Sequence, residues 1–240
     1  MRKFGLIGFP LTHSFSPNYF AKKFITENIG DATYTAYEID DLSDLHYLVE
    51  TEGLDGFNVT IPHKQNIVPY LDLLNYQAAQ INAVNCVRVT EGKLIGFNTD
   101  YIAFKISIAK LAKSGHKALI FGNGGSSVAI KFALHELGIS YKTVSRKVNA
   151  ELNYADLDEA LIKEFKILIN TTPLGTFPNI ETCIDIPYEG IGPNHVCHDL
   201  VYNPSESLFL QKAKKQGATI KNGFEMLEIQ ADRSWDIWNS

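Results

Sequence analysis

The sequence predicts an α/β protein of two domains, with strands and helices alternating along the chain. Short apolar runs of strand length alternate with amphipathic segments of helix length. A glycine-rich turn separates a strand from a helix near the middle of the chain, and 240 residues suit one large or two small domains. The composition is 45% hydrophobic and 20% charged, which allows a substantial core and argues against disorder.

The first part of the chain predicts a mostly parallel sheet. Alternating apolar residues predict strands at 3–8, 32–39, 56–61, 83–89 and 93–97, and helical segments at 18–28, 42–52 and 64–79. Thr90, Glu91 and Gly92 predict a hairpin turn between the last two strands. We therefore expect one antiparallel edge on an otherwise parallel sheet.

The second part of the chain predicts a doubly wound pattern. Strands are expected at 118–121, 141–145, 166–170, 196–201 and 218–221, and helices at 100–113, 128–137, 157–165, 207–216 and from 223. The helix at 100–113 is the expected join between the domains. About six residues separate Arg146 from the next apolar triplet, at 152–154, whereas a parallel crossover needs about a dozen. Either a helix is lost here or the triplet is not a parallel strand.

A glycine-rich turn at 122–127 is the clearest ligand signal. Glycines let the backbone approach a phosphate, and the free N–H groups of a helix N-terminus favour an anion. The match is G-x-G-x-x-S, with Ser127 at the usual third glycine position. The turn predicts a nucleotide site in a Rossmann-like domain, and the alternative is a strand-to-helix turn without a ligand.

Ser145, Arg146 and Lys147 end the strand that follows this turn. A site that prefers NAD usually places an acidic residue about 20 residues past the turn, where it holds the ribose 2′-hydroxyl. Cations at this point accept the 2′-phosphate of NADP instead. The pair Arg146 and Lys147 therefore predicts NADP, and the alternative is two solvated bases at a strand end.

Polar residues follow two strands of the first part. Asn58 and Thr60 share one face of a predicted strand, and Lys64 follows at its carboxyl end, where open α/β sheets bind ligands. Asp100 follows the predicted strand at 93–97. A lysine beside a carboxylate can transfer a proton to or from a hydroxyl or carbonyl group. The alternatives are a solvated lysine and a helix cap at Asp100.

Ser14 and Ser16 lie in the loop after the first strand. Two hydroxyls beside helix N–H groups are suited to holding a carboxylate. The alternative is ordinary helix capping by Ser16, with Pro17 at the first helical position.

Several classes of partner are not supported by the composition. A net charge of −5 gives no reason to expect nucleic acid or an acidic membrane. The N-terminus lacks a signal-peptide pattern, and no apolar run approaches the roughly 18 residues of a membrane span. No metal is expected, because strand alternation separates His198 from His195 and Cys197 and no further ligand is spaced nearby. Three cysteines without a CxxC pair indicate a reducing cytoplasm: Cys86, Cys183 and Cys197.

These motifs together resemble those of the shikimate dehydrogenase family, in order and over nearly the whole chain. Residues 8–17 resemble G-x-P-x-x-H-S-x-S-P, and residues 58–64 resemble N-V-T-x-P-x-K. Residues 83–85 and 96–100 resemble A-V-N and G-x-N-T-D, and Ser145-Arg146-Lys147 stands where the family usually has N-R-T. Residues 170–175, 199–202 and 223–230 resemble N-x-T-x-x-G, D-x-x-Y and G-x-x-M-L-x-x-Q.

The resemblance implies the reversible reduction of 3-dehydroshikimate to shikimate with NADPH, in aromatic amino-acid biosynthesis. It implies that Lys64 is the acid/base, paired with Asp100. The implied substrate contacts are Ser14, Ser16, Asn58, Thr60, Asn85, Tyr202 and Gln230. The implied NADP contacts are Gly122, Asn123, Gly124, Gly125, Ser126, Ser127, Ser145, Arg146, Lys147, Thr171 and Gly223.

The resemblance also implies how the chain is organised. The substrate-binding catalytic domain would comprise 1–101 and 222–240, and the NADP-binding Rossmann-like domain would comprise 102–221 and have a shortened crossover. The expected protein is a cytoplasmic monomer or homodimer that binds a small-molecule substrate.

The sequence departs from the family pattern at several points. Phe15 replaces a lysine, Asn123 an alanine and Lys147 a threonine, and the sequence stops before an expected final helix. Two alternatives stay open: a relative that oxidises quinate or uses NAD, and a non-catalytic nucleotide-binding metabolite sensor.

Overall fold

The structure is a computed structural model that describes residues 1–12, 14–146 and 150–240. The described chain divides into two compact units. Unit 1 contains Met1–Ile102 and Leu227–Ser240, and unit 2 contains Ala103–Met226. His13 and Lys147, which belong to the predicted motifs, lie outside the described residues. The domain roles assigned to 1–101 with 222–240, and to 102–221, stay predictions.

Unit 1 is built on a six-stranded sheet. Its strands are β1 (Arg2–Gly8), β2 (Ala32–Glu38), β3 (Gly56–Val59), β4 (Leu73–Leu74), β5 (Cys86–Thr90) and β6 (Lys93–Phe97). They lie in the order β2-β1-β3-β5-β6-β4, and β5 alone runs antiparallel to its neighbours. The carboxyl ends of β1, β3 and β6 therefore meet at one edge of the sheet.

Helices pack on both faces of this sheet. They are α1 (Phe15–Thr26), α2 (Leu45–Glu52), α3 (His63–Asn66), α4 (Tyr76–Ile81), the start of α5 (Asp100–Ile108) and the end of α9 (Phe224–Trp238). Ile7 of β1 packs with residues of α2, whereas Phe4 packs with α1 and α9. Phe4 stacks on Trp238 with ring centroids 4.6 Å apart, and the indole of Trp238 donates to the carbonyl oxygen of Val87. The sheet is thus buried on both sides, as in other α/β folds.

The predicted antiparallel edge was wrong, because the hairpin of β5 and β6 lies inside the sheet. β4 pairs in parallel with β6 and forms the edge. The sequence predicted helix throughout 64–79 because a two-residue strand leaves no alternating pattern to detect. The hairpin turn itself is the two-residue loop Glu91-Gly92, in which both residues have positive φ.

Unit 2 is built on a five-stranded, fully parallel sheet. Its strands are β7 (Lys117–Phe121), β8 (Ser140–Val144), β9 (Ile167–Asn170), β10 (Val196–Asp199) and β11 (Thr219–Lys221), in the order β11-β10-β9-β7-β8. Its helices include α6 (Gly125–Glu136), α7 (Glu159–Glu164) and α8 (Leu208–Lys215). This order is that of a Rossmann sheet without its third strand. The predicted α/β fold class is confirmed.

At the position of the third Rossmann strand, one residue pairs with β8. Leu152 forms one parallel bridge with Val144, and its N–H donates to the carbonyl oxygen of Thr143 at 3.1 Å. No helix separates β8 from this bridge among the residues that the structure describes. Within the described part of this segment the crossover helix is therefore absent, and Leu152 marks the position of the third strand.

All three cysteines are free thiols. Burial raises the pKa of Cys86 and Cys197 to about 12, so both behave as core residues. Within the described ranges, no three His, Cys, Asp or Glu side chains form a group able to hold a metal ion. None of the described helices is both long enough and apolar enough to cross a membrane.

Candidate active site

The buried ion pair of Lys64 and Asp100 is the centre of the site in unit 1. Lys64 lies on α3 after β3, and Asp100 opens α5 after β6, so both follow carboxyl ends of strands. The Nζ of Lys64 lies 2.7 Å from Oδ2 of Asp100, and the two side chains are only 14% and 7% exposed. A charge pair shielded from water interacts more strongly than a surface pair. The two side chains are therefore held together, which their spacing in the sequence could not show and which only the family resemblance implied.

Asn85 fixes the other side of the Asp100 carboxylate. Its amide Nδ2 donates to Oδ1 of Asp100 at 3.0 Å and to Oγ1 of Thr99 at 2.9 Å. Its Oδ1 accepts the backbone N–H of Thr99 at 2.6 Å. Because both carboxylate oxygens have partners, Asp100 cannot rotate without losing one. Gln230 completes this cluster, with Oε1 lying 3.4 Å from Nδ2 of Asn85.

Asn58 is held in a fixed orientation by two residues that the sequence analysis missed. The hydroxyl of Tyr34 donates to Oδ1 of Asn58 at 2.9 Å. The Nδ2 of Asn58 donates to Oγ of Ser234 at 2.8 Å and to the carbonyl oxygen of Asn85 at 3.1 Å. Both amide N–H groups of Asn58 are therefore occupied, and only its Oδ1 can accept a further hydrogen bond.

Ser14 and Ser16 lie at the start of α1. The helix begins at Phe15 with Ser14 as the N-cap residue, and the Ser14 side chain makes no capping hydrogen bond. The predicted start at 18 was wrong, and the alternative of a cap at Ser16 does not hold, because Ser16 lies inside the helix. Pro17 instead occupies the third helical position, which needs no N–H donor.

Ser16 and Thr60 line the same end of the sheet. Ser16 is buried and forms a hydrogen bond with Tyr34. Burial raises the pKa of the Tyr34 phenol well above its usual value, and the bond to Ser16 opposes this rise. Thr60 follows β3 directly and is half-buried. A Cβ at Gly8 would overlap the Thr60 side chain, so the close packing of these two loops requires glycine at this position.

The glycine turn of unit 2 has the backbone geometry that an anion site needs. Gly122 follows β7 with φ of +110°, and a Cβ at this residue would lie 2.6 Å from Oγ1 of Thr171. Gly124 is the N-cap of α6, and a Cβ there would meet open space. The first turn of α6 thus presents its N–H groups at an accessible loop. The predicted helix start at 128 was wrong, because Gly125, Ser126 and Ser127 already form the first turn.

Ser127 and Asn123 occupy their turn positions differently. Ser127 is fully buried, and its Oγ donates to the carbonyl oxygen of Gly124 at 2.7 Å. It therefore stabilises the turn from inside. Asn123 accepts a hydrogen bond from Nζ of Lys131 at 3.0 Å, a contact that the sequence analysis did not identify.

The residues after β8 lie beside the glycine turn. The N–H of Gly122 donates to the carbonyl oxygen of Val144 at 2.9 Å, which joins the ends of β7 and β8. Ser145 is buried, and its N–H donates to the carbonyl oxygen of Leu152. Arg146, in contrast, is exposed. An exposed guanidinium at this point is suited to a ligand phosphate.

Tyr202 and Gly223 also belong to unit 2. Tyr202 follows β10 and is half-buried, and burial raises the pKa of its phenol. Gly223 donates its N–H to the carbonyl oxygen of Val201 at 3.1 Å, and a Cβ there would overlap the backbone of Leu200. Gly223 therefore allows close backbone packing beside Tyr202.

The fold and these two groups of residues define the class of α/β dehydrogenases that bind a dinucleotide. The family model of the shikimate dehydrogenase substrate binding domain matches residues 6–87. The chain is 40% identical to shikimate dehydrogenase (NADP(+)) of Methanococcus maripaludis, over 98% of this chain and 90% of that protein. It is 36% identical to the Staphylococcus aureus JH9 protein of the same name, over 99% of this chain and 92% of that protein. The chain belongs to the shikimate dehydrogenase family.

Solved structures of this family have the same fold. Shikimate dehydrogenase from Aquifex aeolicus superposes with a TM-score of 0.89 at 32% identity, over 100% of this chain and 92% of that chain. The shikimate 5-dehydrogenase of Thermus thermophilus, solved with NADP(H) and shikimate, gives a TM-score of 0.86 at 30% identity, over 99% of this chain and 93% of that chain.

Proposed function

We propose that this chain catalyses the reversible NADP-dependent reduction of 3-dehydroshikimate to shikimate, in aromatic amino-acid biosynthesis. The observation that carries the proposal is the buried pair of Lys64 and Asp100, with the Asn85 amide on the second carboxylate oxygen. The names of the two curated relatives reported above and the ligands of the Thermus thermophilus structure support it.

Lys64 is the proposed acid/base. An ammonium group has three N–H donors, and one of them is directed at Asp100. In the reducing direction, Lys64 donates a proton to the oxygen of the substrate carbonyl as that oxygen gains negative charge. In the oxidising direction, the same nitrogen accepts the proton of the hydroxyl. Asp100 keeps Nζ oriented, because its carboxylate is itself fixed by Asn85.

The substrate is held by polar groups around this pair. The hydroxyls of Ser14 and Ser16 are proposed to bind its carboxylate, which the N-terminus of α1 also favours. Asn58 offers only an acceptor, so we assign it to a ring hydroxyl that donates to Oδ1. The remaining proposed contacts in unit 1 are Thr60, Asn85 and Gln230. Tyr202 of unit 2 stays a contact that only the family resemblance implies.

The glycine turn fits the pyrophosphate of a dinucleotide. The positive φ of Gly122 and the open space at Gly124 leave the backbone accessible. The N–H groups of Gly125 and Ser126, in the first turn of α6, are proposed to hold the phosphates. The bound dihydronicotinamide supplies the hydride, while the protein supplies alignment and charge. Arg146 and Lys147 are proposed to recognise the 2′-phosphate. The other proposed cofactor contacts are Asn123, Gly124, Ser127, Ser145, Thr171 and Gly223.

A four-way kinetic assay tests the proposal. Shikimate and quinate are each oxidised with NADP and with NAD, and kcat/KM is measured for the four combinations. We expect the highest value for shikimate with NADP. Faster oxidation of quinate with NAD would contradict the proposal. Binding of NADPH without turnover of either substrate would instead indicate a metabolite sensor.

The expected location and assembly also belong to this proposal. We propose a cytoplasmic protein that is a monomer or a homodimer. Light scattering after gel filtration measures the mass in solution. A mass above that of a dimer would contradict the expected assembly.

A further inference from the structure

Lys131 extends from α6 back to the glycine turn. It is the seventh residue of the helix, and its Nζ donates to Oδ1 of Asn123 at 3.0 Å. Long side chains on a helix point towards its N-terminus, which explains how Lys131 reaches a loop that precedes the helix. The ammonium group is therefore held beside the turn proposed to bind a dinucleotide.

The charge of Lys131 is only partly compensated within the protein. The side chain is half-buried, and burial lowers its pKa, while the charge of Glu151 acts in the opposite direction. Among the residues that the structure describes, no carboxylate lies within ion-pair distance of its Nζ. The half-buried Lys23, Lys64 and Lys105 each contact a carboxylate oxygen. The half-buried Lys166 and Lys212 instead contact the carbonyl oxygen of Lys163 and the Sγ of Cys183. An anion placed beside Lys131 would therefore gain a favourable interaction.

The hydrogen bond to Asn123 places the ammonium group of Lys131 beside the carboxyl end of β7, and the charge of Glu151 acts on it from beside β8. Asn123 follows β7, and Glu151 lies beside β8, where its carboxylate accepts the N–H of Thr143 at 2.9 Å. Lys131 interacts with both of these residues. In a Rossmann fold, the adenosine ribose lies at the end of the second strand, which is β8 in this chain. The ammonium group is thus on the ribose side of the turn.

We propose that Lys131 is a specificity-determining residue that binds the 2′-phosphate of NADP. This inference rests on the proposed function, because that function supplies the dinucleotide. Asn123 holds the ammonium group in place, so little side-chain freedom is lost when the phosphate binds. NAD has a hydroxyl at the same position, so the interaction favours NADP selectively.

Direct binding experiments test Lys131. The variants are Lys131→Met and, as the matched control, Lys215→Met, which removes an exposed lysine of unit 2. The probes are NADPH and NADH, followed by nicotinamide fluorescence, and adenosine 2′,5′-bisphosphate and AMP, followed by calorimetry. We expect Lys131→Met to lower the affinity for NADPH and for the bisphosphate about tenfold, as for the loss of a hydrogen bond to a charged group. The affinities for NADH and AMP should change by less than about twofold. Lys215→Met should leave the affinities for all four probes unchanged.

Two results would overturn the inference. One is unchanged binding of all four probes by Lys131→Met. The other is an equal loss of affinity for the probes with and without the 2′-phosphate. That result would mean that Lys131 binds the pyrophosphate or stabilises the fold. Lys131→Arg keeps the charge, so it should retain the preference for NADPH. If Lys131→Met fails to fold, a loss of the preference in Lys131→Gln gives the same support, and a retained preference contradicts the inference.

The tests of Lys131 and of the proposed function have separate readouts. Binding that depends on Lys131, in a protein that does not oxidise shikimate, would contradict the proposed reaction and support the role of Lys131. Normal shikimate turnover, with an unchanged preference for NADPH in Lys131→Met, would support the reaction and contradict the role of Lys131.

Discussion

Lys64 and Asp100 are 36 positions apart in the sequence, and their side chains meet at 2.7 Å within unit 1. The contact exists because β3 and β6 run in the same direction in the sheet, so the segments after them share one edge. An aspartate that only capped α5 would not need a buried cation beside it. This contact is the observation on which the proposed proton transfer rests, whereas helix capping by Asp100 was the alternative from the sequence.

Removing the Lys64 amine should abolish most of the turnover. We expect Lys64→Ala to lower kcat by about 10²- to 10⁴-fold, the usual contribution of a general acid/base. The KM for shikimate should change little, because the substrate is expected to bind mainly through other groups. Steady-state kinetics with NADP measures both constants. The control is Lys22→Ala, which removes an exposed lysine from α1. Near-normal kcat in Lys64→Ala would exclude the proposed role.

Tyr34 is expected to act by positioning Asn58. Tyr34→Phe removes the hydroxyl that donates to Oδ1 of Asn58 while keeping the aromatic ring. The variant also loses the hydrogen bond of Tyr34 with Ser16, and each bond is worth about 1 kcal/mol, so we expect the KM for shikimate to rise about five- to thirtyfold. The kcat should stay within about twofold, because the Lys64 pair is untouched. The exposed Tyr47 provides the matched control, Tyr47→Phe. A fall in kcat with unchanged KM would contradict a positioning role.

The sequence could predict the residues at strand ends, because a period of two residues shows where a strand begins and which side chains share a face. Lys64 and Asp100 both follow predicted strands, and Thr60 was predicted to lie on the polar face of one. Tyr34 and Ser234 could not be found in this way. They reach Asn58 from 24 and 176 positions away, and only the packing of β2 and α9 brings them there.

Local signals also limited the prediction of element boundaries. The first turn of α6 begins with glycine, which has a lower helix propensity than the residues after it, so the helix was predicted too late. The short crossover after Arg146 was visible in the sequence. The sequence could not decide whether a helix is lost or the triplet at 152–154 is not a parallel strand. The decision required the parallel bridge between Leu152 and Val144 of β8, which only the structure shows.

Asp199 should make the stability of the protein depend on pH. It lies at the end of β10, and burial raises the pKa of its carboxyl to about 6, although hydrogen bonds from Ser207, Val201 and Asn170 oppose the rise. An unfolded aspartate titrates near pH 4. Between these values the folded protein binds more protons than the unfolded chain, so the ionised Asp199 costs stability as pH rises towards 6 and above.

The variant Asp199→Asn cannot titrate at this position. Its free energy of unfolding, relative to that of the unsubstituted protein, should rise by roughly 2–3 kcal/mol from pH 4 to pH 7. Urea unfolding followed by circular dichroism at several pH values measures this difference. Asp185→Asn, at an exposed position of unit 2, should show almost no such trend. A difference that does not vary with pH would contradict the raised pKa of Asp199.

Arg146 should contribute to the choice of cofactor. Its exposed guanidinium follows β8, at the point where a Rossmann fold places the adenosine ribose. A charged hydrogen bond to phosphate is worth about 1.5–3 kcal/mol, so Arg146→Ala should reduce the ratio of kcat/KM for NADP over NAD by about 10- to 100-fold. The kcat/KM with NAD should be nearly unchanged, because NAD lacks the 2′-phosphate. Lys142→Ala, which removes an exposed cation from β8 itself, controls for a general loss of positive charge. A variant without Arg146 that still strongly prefers NADP would show that the 2′-phosphate is recognised by other residues.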